Sequence, residues 1–332
     1  MTSSAPRPET IEKLASAVYP SFAMLAGMQL DLFTPLKDGP MSAGQIAKAL
    51  SVRADKLQPL LYALVAAGLL TVDGELFANT AEADHFLVRG KPAYRGGTHE
   101  RLLPRWLGVL KTAETVRTGL PQAKIDFSAM PKEELESFYR GGYAGAVAAG
   151  RDLVARNDFS AYRSLADVGG GSGGLAITVA EACPHLRATV VDLPTVTPIT
   201  QHYVKEAGAA DRVQVMTADV VSGPLTGSFD VAVMSSFIQV LSPDQARRAL
   251  KNISRVIEAG GVIYIEGSIL DDSRLSPPEI VVVNLTYLNM YDEGQAYTES
   301  EYKEWLTEAG FVDFKRVILP NSRSIVTARK PG

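Results

Sequence analysis

Five glycines and a serine in a row, Gly169-Gly170-Gly171-Ser172-Gly173-Gly174, constrain this chain more than any other stretch. They fall between SLADV, a short apolar run that predicts a strand, and LAITVAEACP, which predicts a helix. Glycine reaches positive φ and lets backbone approach a ligand without a Cβ collision, while the first N–H groups of the helix face the same spot. A turn so placed is the nucleotide-binding turn of a doubly wound α/β sheet. Downstream, RATVVDL, VQVMTA, DVAVMS, GVIYIEG and SIVTAR alternate with helical stretches, as such a sheet requires. The runs at 314–318 and 324–328 are separated by five residues, a length that suits an antiparallel hairpin closing an otherwise parallel sheet.

Charge narrows the nucleotide. Asp167 precedes the first glycine by two residues, Asp192 ends the next predicted strand and Asp219 follows the third. Three carboxylates at successive strand ends repel a pyrophosphate, yet they suit an ammonium, a ribose diol and an adenine amine. The pattern favours S-adenosylmethionine over a dinucleotide.

Before the sheet, Leu14, Val18, Phe22, Leu25, Met28, Leu30 and Phe33 recur at helical spacing, broken by Pro20 and closed by Pro35. So apolar a stripe needs a partner, and a second copy of the chain is the expected one. Ser42 is placed to cap a short helix, and Leu57, Leu60, Leu61, Leu64 and Leu69 mark another. A tight turn at Asp73-Gly74 then joins two short strands. Helix, helix, hairpin is the order of a winged helix. Near its second helix stand only Lys48, Arg53 and Lys56, mixed with Asp55, too little to neutralise phosphates.

With 33 Lys+Arg against 37 Asp+Glu over 332 residues, the net charge of −4 gives no basic face for nucleic acid. The single cysteine, Cys183, points to a reducing, cytoplasmic setting and away from cysteine-based metal clusters. No metal is expected, and no run is long and apolar enough to cross a membrane. The expected division is 1–95, a winged-helix dimerisation domain; 96–157, a helical connector over a pocket; and 158–332, a Rossmann-like nucleotide-binding domain.

The run LADVGGGSGGLAITVAEACPHLRATVVDLP resembles the cofactor motif of the S-adenosylmethionine-dependent O-methyltransferase family of plant caffeate and bacterial polyketide enzymes. The winged-helix order, the connector and the ending EYKEWLTEAGF are similar to the same family, so the resemblance spans nearly the whole chain. It implies a homodimer and an aromatic or polycyclic small-molecule acceptor beneath the connector. It also implies that Asp167, Gly169 and Gly171 border the methionine part, Asp192 with Leu193 the ribose, and Asp219 with Val220 the adenine. Ser235 falls where the family carries a lysine near the cofactor.

The resemblance breaks at the chemistry. Where O-methylating members place a histidine base, this chain has Gln239, and an amide cannot act as a general base at neutral pH. One of the family's two glutamates is matched by Glu266; Ala296 stands in place of the other. The expected catalytic residues are therefore Gln239 and Glu266, orienting an acceptor for C- or O-methylation that proceeds by proximity. The alternative readings are an S-adenosylmethionine-binding hydroxylase or decarboxylase and, further off, a ligand-sensing regulator. For the acceptor wall, Phe138, Tyr139, Gly142 and Tyr143 are expected from the connector. Asn284, Tyr287, Leu288 and Tyr291 are expected from one face of a later helix.

Overall fold

The computed structural model describes residues 6–332 and has two compact units, divided between Leu103 and Pro104. In the first, α1 (Glu9–Ser16) and α2 (Tyr19–Gln29) separate where Pro20 opens the second helix. The helix α3 (Ala43–Leu50) follows the short β1 (Met41–Ser42) and starts on a capping box between Ser42 and Gln45. Next come α4 (Ala54–Ala66), β2 (Leu70–Asp73), β3 (Leu76–Asn79) and α5 (Ala81–Leu87). Strand β3 stops at Asn79 because the Thr80 hydroxyl accepts from Ala83 N–H and begins α5, so the stretch after the turn is one strand and one helix. The small sheet has order β1-β3-β2, antiparallel throughout. Leu57, Leu61 and Leu64 bury against Leu32, Phe33, Ile46 and Phe77. By contrast, Ile11 and Leu14 are 71 % and 66 % exposed, and Val18, Tyr19 and Phe22 are also exposed.

The helix α6 (His99–Val109) runs across the division. The second unit continues with α7 (Thr112–Thr118) and α8 (Lys132–Arg156). Then β4 (Ser164–Val168), α9 (Gly174–Ala182), β5 (Arg187–Asp192), α10 (Thr197–Glu206) and β6 (Val213–Thr217) build one half of the sheet. The strand β7 (Phe229–Ser235), helix α11 (Pro243–Ser254) and strand β8 (Ile257–Gly267) start the other half. After β9 (Ile269–Leu270), α12 (Pro278–Met290), β10 (Tyr297–Thr298) and α13 (Glu299–Glu308), the chain ends on β11 (Val312–Ile318) and β12 (Ser324–Arg329).

The seven strands lie in the order β11-β12-β8-β7-β4-β5-β6, and only β12 runs against its neighbours. The terminal hairpin is the one the sequence predicts. Each face of the sheet is covered: α11 and α13 bring Leu250, Trp305 and Leu306 onto Ala232, Ile263 and Val326. On the other face, α8 and α9 bring Leu153, Leu175 and Val179 onto Leu165, Val190 and Val231. The chain leaves β4 towards β5 on one side and returns to β7 on the other, which opens a crevice at their carboxyl ends. The glycine turn occupies that point.

The helix α12 is laced to the segment before α8. Thr115 Oγ1 donates to Asn289 Oδ1 at 2.7 Å, and Asn289 Nδ2 donates to Thr112 Oγ1 at 2.9 Å. The N–H groups of Ala123 and Ile125 donate to the Asn289 and Met290 carbonyls. Residues 104–157 thus belong to the compact unit that holds the sheet.

Candidate cofactor and acceptor site

Gly169, Gly171 and Gly173 all have positive φ, at +68°, +56° and +75°, so the turn needs glycine at alternate positions. It is pinned from below. Gly171 N–H donates to Asp192 Oδ2 and Leu193 N–H to Asp192 Oδ1, both at 2.8 Å, while Thr200 Oγ1 donates to the Gly171 carbonyl. Above it lie two rings: a Cβ at Gly169 would stand 2.4 Å from Phe237, and one at Gly171 would stand 2.4 Å from Tyr139.

Asp167 is 1 % exposed, and neither carboxylate oxygen has a hydrogen-bond partner. Burial first, then the Asp192 charge, push it up to about 7; Ala176 N–H, beyond hydrogen-bonding reach, offsets this only in part. Asp192 is pushed up to about 6 by burial, against the pull of the Leu193 and Gly171 N–H groups. It keeps some exposure to the crevice, so lone pairs remain for a ligand. An orphaned carboxylate beneath glycines, beside a mostly buried one that keeps some exposure, fits a cation that also carries a diol. Asp219 is exposed and accepts from Val221 N–H and Ser222 Oγ. Val220, expected against the adenine, has its side chain in the core beneath the sheet.

The strand register sets Ser235 beside Glu266. Ser235 Oγ donates to Glu266 Oε2 at 3.1 Å, and Arg323 Nε donates to Glu266 Oε1 at 2.9 Å. Arg323 also donates from Nη2 to Ser236 Oγ at 2.7 Å. Glu266 is 8 % exposed with both oxygens engaged, which makes it an anchor for a guanidinium rather than a free base. Arg323 escapes a sequence reading because its partner lies 57 residues away and no motif links them.

Gln239 follows β7 in a short helical turn and is 2 % exposed. Its Oε1 has no hydrogen-bond partner. Gly294 packs on its carbonyl, where a Cβ would come within 2.7 Å, and Ala296 is fully buried nearby in the chain. The four histidines lie elsewhere: His99 contacts the Gly96 carbonyl, His185 the Phe159 carbonyl, His202 pairs with Glu206 and His85 packs edge-on against Phe86. Among the described residues no group of three His, Cys, Asp or Glu could hold a metal ion, and no helix is long and apolar enough to cross a membrane.

The expected acceptor residues divide. Tyr139 joins Phe127, Leu193 and Leu135 in a cluster against the turn, and Phe138 meets Phe127 edge-on at 5.3 Å. Tyr143 stacks on Tyr203 at 4.6 Å and packs on Gly174, at the start of the cofactor helix. Gly142, one position before it in α8, is half-buried. On α12, Tyr287 Oη bonds Ser268 Oγ at 2.8 Å and its ring lies near Tyr291, whereas Asn284 Oδ1 accepts from Ala296 N–H. Leu288 points outward with Val282 and Leu285, so the predicted single face is split between interior and surface.

The O-methyltransferase domain profile matches residues 123–312, and the O-methyltransferase dimerisation domain profile matches residues 12–89. The chain is 30 % identical to the tetracenomycin polyketide synthesis 8-O-methyl transferase of Streptomyces glaucescens, over 98 % of this chain and 97 % of that one. It is also 30 % identical to the 3-hydroxy-5-methyl-1-naphthoate 3-O-methyltransferase of Streptomyces sahachiroi, over 97 % and 95 %. Human N-acetylserotonin methyltransferase, solved in complex with SAM, has the same fold, with a TM-score of 0.88, 23 % identity and 100 % of both chains covered. On these matches the chain belongs to the O-methyltransferase family.

Proposed function

We propose that this S-adenosylmethionine-dependent methyltransferase methylates an ionised phenolic oxygen on a polycyclic aromatic acceptor, with Gln239 orienting the acceptor. The cofactor, when bound, supplies a sulfonium methyl group already activated for transfer. Asp167 would hold its ammonium, Asp192 its ribose hydroxyls and Asp219 its adenine amine, while Tyr139 and Phe237 cover the turn.

The observation that carries the reading is that neither expected catalytic side chain is a free base: the Gln239 amide is not basic, and both Glu266 oxygens are occupied. The acceptor therefore enters as its anion, having lost its proton to solvent. With the cofactor bound, an electron pair of the acceptor oxygen would take the methyl group, the C–S pair returning to sulfur. Positioning of this kind can account for about 7–11 kcal/mol of barrier. The two curated relatives named above act, by their names, on a polyketide intermediate and a naphthoate, which supports an aromatic acceptor.

Incubation with methyl-labelled cofactor and a panel of hydroxynaphthoates, hydroxyanthraquinones and N-acetylserotonin tests this. Label is expected in an O-methyl product, with a rate that rises as pH passes the acceptor's own ionisation. Gln239→Ala is expected to lower kcat about tenfold or more with cofactor affinity unchanged. Turnover of an acceptor without label transfer rejects methylation.

From Leu14 onward the exposed stripe of α1 and α2 lies in the segment matched by the dimerisation profile, and we assign the stripe to a homodimer contact. Leu14→Glu with Ile11→Glu leaves the core untouched, since α1 buries no side chain. Light scattering is expected to give twice the chain mass for the parent and the single mass for the double variant; an unchanged dimer rejects the assignment.

A further inference from the structure

Along the carboxyl edge of the sheet, acid gives way to a cation. Asp167 registers with Val190 of β5, two residues before Asp192, and with Val233 of β7, two residues before Ser235; Ser235 registers with Glu266. Side chains two apart on a strand share a face, so Asp192, Asp167, Ser235 and Glu266 follow one another along one side of the sheet. Arg323 comes last. Ser324 pairs with Gly267, which sets Arg323 just past the end of β8, where its Nε donates to Glu266.

The guanidinium is held by one edge only. Nε is spent on Glu266 and Nη2 on Ser236, while Nη1 makes no hydrogen bond among the described residues. The Arg323 side chain is 26 % exposed against 10 % for that of Glu266, so a ligand reaches the guanidinium more readily than the carboxylate. Its anchors are themselves fixed. Glu266 also accepts from Ser235 Oγ, and Ser236 N–H donates to the Glu266 carbonyl at 2.8 Å. Leu319 N–H closes the loop before β12 on the Arg323 carbonyl at 2.7 Å, and Ser322 Oγ ties that loop to Glu279 of α12 at 2.8 Å. Helix α12 reaches the same end of β8 through the bond between Tyr287 and Ser268. A guanidinium so held loses little freedom when it takes a ligand, and its planar fork matches an oxyanion.

We propose that Arg323 determines acceptor specificity: its unspent Nη1 edge binds a carboxylate on the aromatic ring, so the acceptor is an aromatic hydroxy acid. The proposal rests on the aromatic acceptor proposed above and names its chemical class. A cationic donor at Asp167 and Asp192 and an acidic acceptor at Arg323 each lie at the end of the row whose charge suits them. Glu266 and the ligand meet different edges of the guanidinium, so the ion pair stays intact. Its task is to hold the arginine.

Titration of the full-length protein, saturated with S-adenosylhomocysteine, uses two probes that differ only in the acid group, 3-hydroxy-1-naphthoate and 2-naphthol. The parent is expected to bind the acid at least tenfold tighter. In Arg323→Gln the affinity for the acid is expected to fall about 30-fold, and that for 2-naphthol to stay within threefold. An acid preference that survives in Arg323→Gln overturns the proposal. Removing the arginine also uncovers the Glu266 charge, so Glu266→Gln is combined with Arg323→Gln, and the preference is expected to stay lost. A preference restored in that double variant overturns the proposal as well, because Arg323 would then serve only to mask Glu266. So does a parent that binds the two probes alike, a result that needs no variant to fold. Methyl-labelled cofactor separates this from the reading it rests on. Preference for the acid without label transfer upholds Arg323 and rejects methylation, whereas label transfer to both probes at equal kcat/KM does the reverse.

Discussion

Asp167→Asn is expected to make the ligand-free protein more stable at pH 8 while weakening its affinity for the cofactor. Asp167 has no partner for either oxygen and is pushed up to about 7 by burial, then by the charge of Asp192. In the unfolded chain the same carboxyl ionises near pH 4. The folded state therefore holds its proton more tightly, and the stability this contributes is complete below about pH 4 and is lost as pH rises through about 7. Ionising it in the fold at pH 8 costs about 4 kcal/mol. Asparagine keeps the shape without the charge, although its own unpaired amide gives back about 1–3 kcal/mol. A net gain of roughly 1–3 kcal/mol, a few degrees in melting temperature, is expected at pH 8. At pH 5 the parent is itself neutral at this position, and the gain should vanish. Calorimetry with S-adenosylhomocysteine should show the opposite trend, with affinity for the ammonium-bearing ligand rising from pH 5 to 8 in the parent. The variant is expected to lose about 3 kcal/mol of binding, roughly 100-fold. A variant that binds as tightly as the parent removes Asp167 from the site; one less stable at pH 8 removes the stored repulsion.

That one side chain also measures how far the sequence can be read. The turn, the three acidic strand ends and the closing hairpin are local patterns: each is fixed by residues within a few positions of one another, so periodicity and glycine spacing suffice. Asp167 is legible as a site residue, but its lack of partners follows from what β5, α9 and the turn bury around it. The same distance hides Arg323, whose bond to Glu266 turns a supposed catalytic carboxylate into the anchor of an ion pair. Helix α12 shows a different limit. Its apolar residues lie all round, and spacing alone does not separate Tyr287, bonded to Ser268, from Leu288, turned to the surface. Val220 is a third case: a position next to a strand-end aspartate can face ligand or core, and here it faces the core.

Gly170→Ala is expected to be the most damaging of the glycine substitutions, although Gly170 is the glycine of the turn whose backbone angles an alanine tolerates. Gly169 and Gly171 have positive φ and meet the rings of Phe237 and Tyr139, side chains that can swing by rotation about χ1. At Gly170 a new Cβ would lie 2.6 Å from both Cγ and Oδ2 of Asp167 and 2.8 Å from Val190 Cγ1. Those atoms belong to short, fully buried side chains on the adjacent strands β4 and β5, so the turn itself must lift. Overpacking of this kind costs about 1–3 kcal/mol, and the upper end applies where nothing can give. Lifting the turn also draws Gly171 N–H away from Asp192, the bond that shapes the ribose site. Urea unfolding is expected to show a loss of about 3 kcal/mol, and calorimetry no binding of S-adenosylhomocysteine. The pairing with Asp167 can be isolated, because trimming the carboxylate should make room for the methyl group. Asp167→Ala combined with Gly170→Ala is expected to recover most of the lost stability and none of the binding. Strict additivity of the two changes would mean that the collision lies with Val190 instead.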